Sequence, residues 1–191
     1  MSRLLVAIAA VLTAFIAAPA RHAHADVVEV APHGFIVRTE LGIEAKPDAV
    51  WKALLDVGGW WNMDHSYSRD GASMTIDARP GGCFCEKLPN GGGVVHATVM
   101  FVAPNQTLRL HGSLGPMQGE GLVGSLTFKI VPATVPSASR IEMTYAVGGF
   151  RPGGFERVAP AVNMVMTEQV MRLKAFIETG KPGAAPKKVS F

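Results

Sequence analysis

Residues 159–179 read APAVNMVMTEQVMRLKAFIET, and the spacing of their apolar side chains predicts one long amphipathic helix. Pro160 suits the first turn of a helix, and Gly180 followed by Pro182 is typical of its end. At about 100° per residue, one face of this helix collects Val162, Val165, Met166, Gln169, Leu173, Phe176 and Ile177. A face this apolar needs a cover, so we expect the helix to be an integral part of the fold.

The cover is expected to be an antiparallel sheet, because short β-rich segments recur between turn signals from Met74 onward. Residues 126–130 and 140–147 alternate between apolar and polar side chains, which predicts strands with one buried face and one solvent-exposed face. We count six such strands. Upstream, residues 35–43 predict a further, first strand. A short helix is expected from Pro47 to Gly58-Gly59, and a loop or second short helix over residues 62–71.

The N-terminus has the pattern of a secretory signal. Arg3 precedes an uncharged apolar run over residues 4–18, and Ala23-His24-Ala25 places small residues before a cleavage point after Ala25. The run is shorter than the roughly 20 residues that span a bilayer, so we expect no stable membrane anchor after cleavage. The expected product is periplasmic or secreted, with a signal peptide over 1–25, one domain over 26–180 and a flexible tail over 181–191.

The charge of the chain gives no support to nucleic-acid binding. The whole sequence holds 18 Lys and Arg against 15 Asp and Glu, and removal of Arg3 and Arg21 with the signal leaves a net charge of only +1. Lys181 and the pair Lys187-Lys188 lie in the Pro- and Gly-rich tail, where a solvated role is expected. We therefore expect no nucleic-acid partner.

The order of elements resembles the helix-grip fold of the START-like or SRPBCC superfamily, which includes polyketide cyclases and lipid-transfer domains. Within it, residues 46–54 (KPDAVWKAL) and 77–82 (DARPGG) look like segments of the group related to the activator of heat-shock-protein ATPase. The resemblance implies an α+β fold: a curved antiparallel sheet wrapped around a long C-terminal helix, with two short helices after the first strand. It also implies an internal cavity between sheet and helix that can hold an apolar molecule. We expect no cofactor.

Such a cavity would bind a hydrophobic small molecule or a lipid. Its lining is expected to combine inward strand and helix positions with aromatic residues of two loops at its mouth, and the candidates are Trp60, Trp61, Tyr67, Phe84, Phe128, Met143, Tyr145, Phe150 or Phe155, Val165 and Gln169. Trp51 in the first helix is expected to close the core. A monomer or weak dimer is expected.

An alternative function is acid/base catalysis of a cyclisation, dehydration or isomerisation in the same cavity. His96, Glu120 and Tyr145 are the candidate catalytic residues, and a buried polar pair such as His96 with Glu120 would favour this alternative. The sequence has no Gly-x-Ser-x-Gly, no phosphate-binding Gly-rich loop with Lys and no His-Glu-x-x-His, so serine hydrolase, NTPase and zincin classes have no support.

Both cysteines lie in one short run, Gly82-Cys83-Phe84-Cys85-Glu86. In an exported chain they suggest a disulfide, but residues i and i+2 of a regular strand hold their Cβ atoms farther apart than the roughly 3.5–4.5 Å of a bridge. A bridge therefore requires a bulge, which Gly81-Gly82 would permit. It would suggest a third function, that of a redox-linked interaction protein working through Cys83 and Cys85.

Other interpretations of the cysteines stay open. They include a soft-metal site completed by His96 or His65, a disulfide-linked dimer, and a pair of small apolar residues without chemistry. Counting from Lys87 as outward places Phe84 in the cavity, whereas counting from Glu86 as outward reverses this, and the first assignment is preferred.

Overall fold

The structure is a computed structural model that describes residues 24–135 and 137–183. The predicted signal peptide over 1–25 lies almost wholly outside these residues, as does most of the predicted tail over 181–191. The predicted cleavage point after Ala25 falls two residues into the first strand. No helix of the described ranges is long and apolar enough to cross a bilayer.

Within residues 24–135 and 137–183, eight antiparallel strands form one curved sheet. They are β1 (His24–Ala31), β2 (Gly34–Ile43), β3 (Met74–Ile76), β4 (Cys83–Lys87), β5 (Gly93–Ala103), β6 (Thr107–His111), β7 (Val123–Pro132) and β8 (Ser139–Gly148). Their order in the sheet is β1-β2-β8-β7-β6-β5-β4-β3. The predicted six strands after Met74 are thus confirmed as β3 to β8, and the strand over 35–43 is confirmed as β2.

The strand β1 was not predicted. It pairs with β2 from His24↔Glu40 to Ala31↔Gly34, with a register shift between Val27 and Glu29. Val28 and Val30 are 52% and 38% exposed, so this edge strand buries little and carries no clean alternation that could reveal it. Because β1 comes first, the short helices follow the second strand and not the first.

In the part of the chain that the structure describes, three α-helices accompany the sheet: α1 (Pro47–Leu55), α2 (Val57–Trp60) and α3 (Val158–Thr179). The long C-terminal helix is confirmed within one residue of its predicted start. Gly58 and Gly59 were predicted to end the first helix, but they lie inside α2. Gly58 is needed there because a Cβ at this position would lie 2.1 Å from the carbonyl oxygen of Gly71. A 3₁₀ turn over Met63–His65 occupies the stretch predicted as a loop or short helix.

Helix α3 lies across the apolar face of the sheet, as in the helix-grip fold. Leu173 and Val170 are fully buried, and Met166 and Gln169 are 2% and 1% exposed. Polar contacts fix the helix to β2: Thr167 pairs with Thr39 at 2.9 Å, and Lys174 Nζ donates to the carbonyl oxygen of Gly42 at 2.8 Å. Burying each large apolar side chain contributes roughly 1.5–3 kcal/mol, so the helix and the sheet stabilise one another.

Candidate ligand cavity

A cavity of about 990 Å³ lies between the first half of α3, the segment 61–67 and the segment 114–120. The residues that form its wall are Trp61, Asp64, His65, Ser66, Tyr67, Leu114, Gly115, Pro116, Met117, Glu120, Tyr145, Arg151, Gly153, Arg157, Val158, Ala161, Val162, Val165 and Met166. Tyr67 is 54% exposed, so the cavity reaches the surface. This volume is in the range of sites that hold drug-sized or lipid-like molecules.

One side of the cavity is an apolar helix face. Val158, Ala161, Val162, Val165 and Met166 recur at three- and four-residue spacing on α3, which brings them to one face. Leu114, Pro116 and Met117 provide apolar surface from the 114–120 segment. The part of the cavity that these side chains enclose can therefore accept hydrocarbon.

Charged side chains come from the loops at the cavity's edge. Arg151 Nε donates to Glu120 Oε2 at 2.7 Å, and Arg151 also donates to the carbonyl oxygen of Gly154 at 3.1 Å. Arg157 is exposed at the N-cap of α3, and within the described chain its side chain has no hydrogen bond or ion pair. It is therefore a cation at the cavity's edge that is free to meet a ligand.

Tyr145 reaches the cavity from β8 but is held by the backbone. Its hydroxyl donates to the carbonyl oxygen of Gly112 at 3.2 Å and accepts from Leu114 N–H at 3.1 Å. Burial raises the pKa of Tyr145 to about 12, against the opposing effect of the Leu114 hydrogen bond. Its ring lies so close to β7 that a Cβ at Gly124 would be 2.4 Å from Cε2. The arrangement anchors the 112–114 segment and keeps the phenol protonated.

Behind Tyr67 lies a buried carboxylate–imidazole pair. His96 Nε2 lies 2.9 Å from Glu86 Oε2, and the two side chains are 5% and 0% exposed. The Glu86 carboxylate also accepts the backbone N–H groups of Tyr67, at 3.2 Å, and of Ser68. The His96 ring stacks against the Tyr67 ring with 6.0 Å between centroids. Glu86 and His96 thus hold the segment that forms one wall of the cavity.

The protonation states of this pair follow from its surroundings. Burial would raise the pKa of Glu86, but the hydrogen bonds from Ser68, Tyr67 and His96 together lower it below 4.5. Burial lowers the pKa of His96 below 6.5, although the neighbouring Glu86 opposes the shift. At neutral pH Glu86 is therefore ionised and can only accept hydrogen bonds. Because Nε2 of the neutral His96 faces this carboxylate, the imidazole must carry its proton on Nε2.

A β-bulge explains why the sequence pattern concealed this pair. In the β4–β5 ladder Phe84 pairs with Ala97 and Cys85 with Val95, which leaves His96 without a partner. His96 and Ala97 are consecutive, yet they are 4% and 3% exposed. Strict alternation places only one of the two inside, so period-2 reasoning could not assign His96 to the interior.

The predicted lining residues divide into three groups: those on the cavity wall, those buried in the core, and the exposed Phe150. Trp61, Tyr67, Tyr145 and Val165 line the cavity, and so does the catalytic candidate Glu120. Several others are fully or almost fully buried in the core away from the cavity wall: Trp60, Phe84, Phe128, Met143, Gln169 and Phe155. Phe150 is 81% exposed and Trp51 is half-buried against the core. Side chains fill the deeper part of the helix–sheet interface, so the cavity is confined to the first half of α3.

The predicted partnership of His96 with Glu120 is not present. Glu120 pairs with Arg151 at the cavity's edge, whereas His96 pairs with Glu86 behind the cavity wall. The reason is the bulge, which turns His96 towards Glu86 on the adjacent strand. Sequence reasoning missed Glu86, Arg151 and Arg157; a buried Glu86 could have been inferred only from its two-residue spacing from the inward Phe84.

The two cysteines form a disulfide with 5.4 Å between their Cα atoms. Phe84, between them, is 2% exposed and faces the interior, while the cysteines are half-buried on the opposite face. His96 points inward to Glu86 and His65 lies beside Glu168, 3.6 Å away. The four candidates for a soft-metal site are therefore not brought together, and no cluster of three metal-binding side chains occurs among residues 24–135 and 137–183.

Comparison with solved structures shows several proteins of similar fold. They include EF2215, a conserved protein of unknown function from Enterococcus faecalis (17% identity, TM-score 0.58, 88% of this chain and 82% of that chain), and CalU16 from Micromonospora echinospora (15%, 0.53, 86% and 87%). DynU16, from the dynemicin biosynthetic locus, has 21% identity and a TM-score of 0.54 over 77% of this chain and 48% of that chain. No family model and no curated protein matches the sequence. These likenesses support the helix-grip fold.

Proposed function

We propose that this chain is an exported START-like protein of the SRPBCC type that binds a hydrophobic small molecule or a lipid. The observation that carries the proposal is the cavity of about 990 Å³, whose helix side is apolar along its length. Transfer of hydrocarbon from water into such a site is favourable by about 25 cal/mol per Å² of buried apolar surface. Export rests on the signal pattern of residues 1–25.

The charged edge of the cavity favours an amphipathic ligand with an anionic end. Arg157 is free of partners in the described chain, and Arg151 uses its Nε on Glu120. A fatty acid or a related amphiphile would place its chain along Val162 and Val165 and its carboxylate beside Arg157. The occupied state would then bury hydrocarbon and leave the polar group at the solvent-exposed edge.

The positions of the candidate catalytic residues favour ligand binding over acid/base catalysis. The Tyr145 hydroxyl is engaged by two backbone groups and its pKa is raised to about 12. His96 is engaged by Glu86 and does not line the cavity. A general acid or base must reach its substrate within hydrogen-bond distance. Of the three candidates, only Glu120 both lines the cavity and has a carboxylate that is not held by the backbone or buried; its partner is Arg151.

The experiment is native mass spectrometry of the delipidated protein after incubation with oleic acid or with phosphatidylglycerol vesicles. The proposal predicts one ligand mass per chain with at least one of these probes, lost when the protein is denatured. If neither probe gives an adduct above the level seen with an unrelated protein of equal size, the cavity does not bind lipid-like molecules and the proposal is wrong.

A further inference from the structure

The Cys83–Cys85 disulfide is an unusual structural link because it joins two residues of the same strand. It closes a loop with a single intervening residue, and the chain-entropy contribution of a disulfide grows with loop length. The neighbouring strands already hold both ends, since Cys83 pairs with Thr98 and Cys85 with Thr75. The fold therefore gains little global stability from this bond.

The disulfide nevertheless alters the strand locally. A strand rises about 3.3 Å per residue, which separates the Cα atoms of residues i and i+2 by about 6.6 Å. The observed Cα separation of Cys83 and Cys85 is 5.4 Å. The shortened span coincides with the register shift between Phe84 and Cys85 in the β4–β5 ladder. Opening the bond removes the covalent limit that holds the Cα atoms of Cys83 and Cys85 at this separation.

The bulge is connected to the cavity by a chain of direct contacts. His96 is the unpaired residue of the bulge, and its Nε2 donates to Glu86, which directly follows Cys85 in the chain. Glu86 in turn accepts the N–H groups of Tyr67 and Ser68. Tyr67 lines the cavity. A shift of β4 therefore moves the carboxylate that positions this wall.

The disulfide is also placed where another molecule can reach it. Both cysteines are half-buried on the outer face of the sheet, opposite the buried Phe84. Val95, the ladder partner of Cys85, is 54% exposed, and Thr75, its partner on the other side, is exposed as well. An incoming thiolate can approach the sulfur atoms without opening the core.

We propose that Cys83–Cys85 is a thiol–disulfide exchange site for a dithiol partner, and that its redox state sets the geometry of the cavity wall through His96 and Glu86. One partner thiolate attacks a sulfur of the bridge, the S–S bond breaks, and the other cysteine leaves as a thiolate that takes a proton from solvent. The second partner thiol, as a thiolate, attacks the partner's sulfur of the mixed disulfide and releases the remaining cysteine as a thiolate, which also takes a proton from solvent. The chain gains two electrons and two protons, and the partner dithiol becomes a disulfide.

The exchange reaction is tested on the folded protein with dithiothreitol as the dithiol. Aliquots are treated with a maleimide, and mass spectrometry counts the thiols while far-ultraviolet circular dichroism follows the fold. We expect two trapped thiols with an unchanged spectrum, and re-formation of the disulfide on addition of oxidised dithiothreitol. A bond that resists millimolar dithiothreitol until the protein is denatured would overturn the exchange site.

The transmission to the cavity is tested by two further readings on the same samples. The His96 imidazole resonance should move on reduction, and the affinity for the neutral probe N-phenyl-1-naphthylamine should change severalfold. The Cys83→Ser/Cys85→Ser variant should show the His96 resonance position and the probe affinity of the reduced protein, and neither should respond to dithiothreitol. Reduction that leaves the His96 resonance in place would overturn the transmission. Thiol trapping and the His96 resonance need no ligand, so they remain decisive if the proposed function fails.

Discussion

The imidazole of His96 donates from Nε2 to the carboxylate of Glu86 over 2.9 Å, and this pair joins the disulfide-bridged strand β4 to the cavity wall. The same carboxylate accepts the N–H groups of Tyr67 and Ser68. A buried carboxylate is costly unless it is well hydrogen-bonded, and here three donors from two parts of the chain meet that need. The pair therefore acts as a positioning element for the 61–67 segment.

Replacing Glu86 by Gln tests this role. The amide group presents one acceptor and one donor to a site that holds N–H donors, so buried donors lose their partner. We expect the free energy of unfolding to fall by about 3 kcal/mol, measured by urea denaturation. Glu44→Gln is the matched control, since Glu44 is exposed, and should change stability by less than about 0.5 kcal/mol. Equal effects of the two substitutions would remove Glu86 from this role.

Acid should weaken the fold through the same pair. The pKa of His96 is lowered from 6.5 in the folded protein, so its contribution is complete above pH 6.5 and is lost as pH falls towards the folded pKa. The pKa of Glu86 is lowered from 4.5, so its contribution is present above pH 4.5 and lost below it. Both effects have the same sign.

The measurement is the free energy of unfolding as a function of pH. It should be nearly constant above neutrality and fall in two stages, the first as pH drops below 6.5 and the second as pH drops below 4.5. His96→Gln retains an N–H donor but does not titrate, so the upper stage should disappear while the lower stage remains. A variant that keeps the upper stage would assign it to another group.

The packing of α3 on the sheet is tested at Leu173, which is fully buried. Leu173→Asp places a carboxylate in the core and should abolish cooperative folding, and Leu173→Ala should cost about 2–5 kcal/mol. Met171, on the same helix, is 50% exposed, and Met171→Asp should leave thermal unfolding nearly unchanged. Circular dichroism at increasing temperature distinguishes these outcomes, and a folded Leu173→Asp protein would contradict the helix placement.

The anionic end of the proposed ligand is tested at Arg157. Removing its guanidinium in Arg157→Ala should weaken binding of oleate by about fivefold, close to 1 kcal/mol for a solvent-exposed charge pair. Binding of methyl oleate should stay the same, because the ester carries no charge. Arg38→Ala, at an exposed position of β2, is the control. Equal losses for oleate and its ester would show that Arg157 does not recognise charge.

The fold was predictable because its elements carry strong local patterns. The 21-residue stretch from Ala159 has a continuous apolar face bounded by proline and glycine signals, and β7 and β8 alternate cleanly, so their prediction required no tertiary information. By contrast β1 is an edge strand whose valines remain exposed. This strand forms through its pairing with β2, and its own sequence has no alternating pattern that would predict it.

The site was less predictable because it depends on two departures from regular structure. The bulge at His96 reverses the facing of one residue, and dense packing around Phe128 and Met143 closes the deeper interface and leaves the cavity at one end of α3. Neither the position of a bulge nor the volume left between packed side chains follows from alternation. Tyr67 and Val165 were found because their elements, the mouth loop and the helix face, were placed correctly.

The most direct test of the cavity is binding of N-phenyl-1-naphthylamine to two matched double variants. Ala161→Trp/Val165→Trp adds two large side chains to the cavity wall, whereas Met164→Trp/Met171→Trp adds the same side chains at positions that are 55% and 50% exposed. We expect saturable one-site binding in the unaltered protein and the exposed-face variant, and an affinity lower by about tenfold or more, at least about 1.4 kcal/mol, in the cavity variant with its fold retained. Equal affinity in all three proteins would contradict ligand binding in the cavity beside α3.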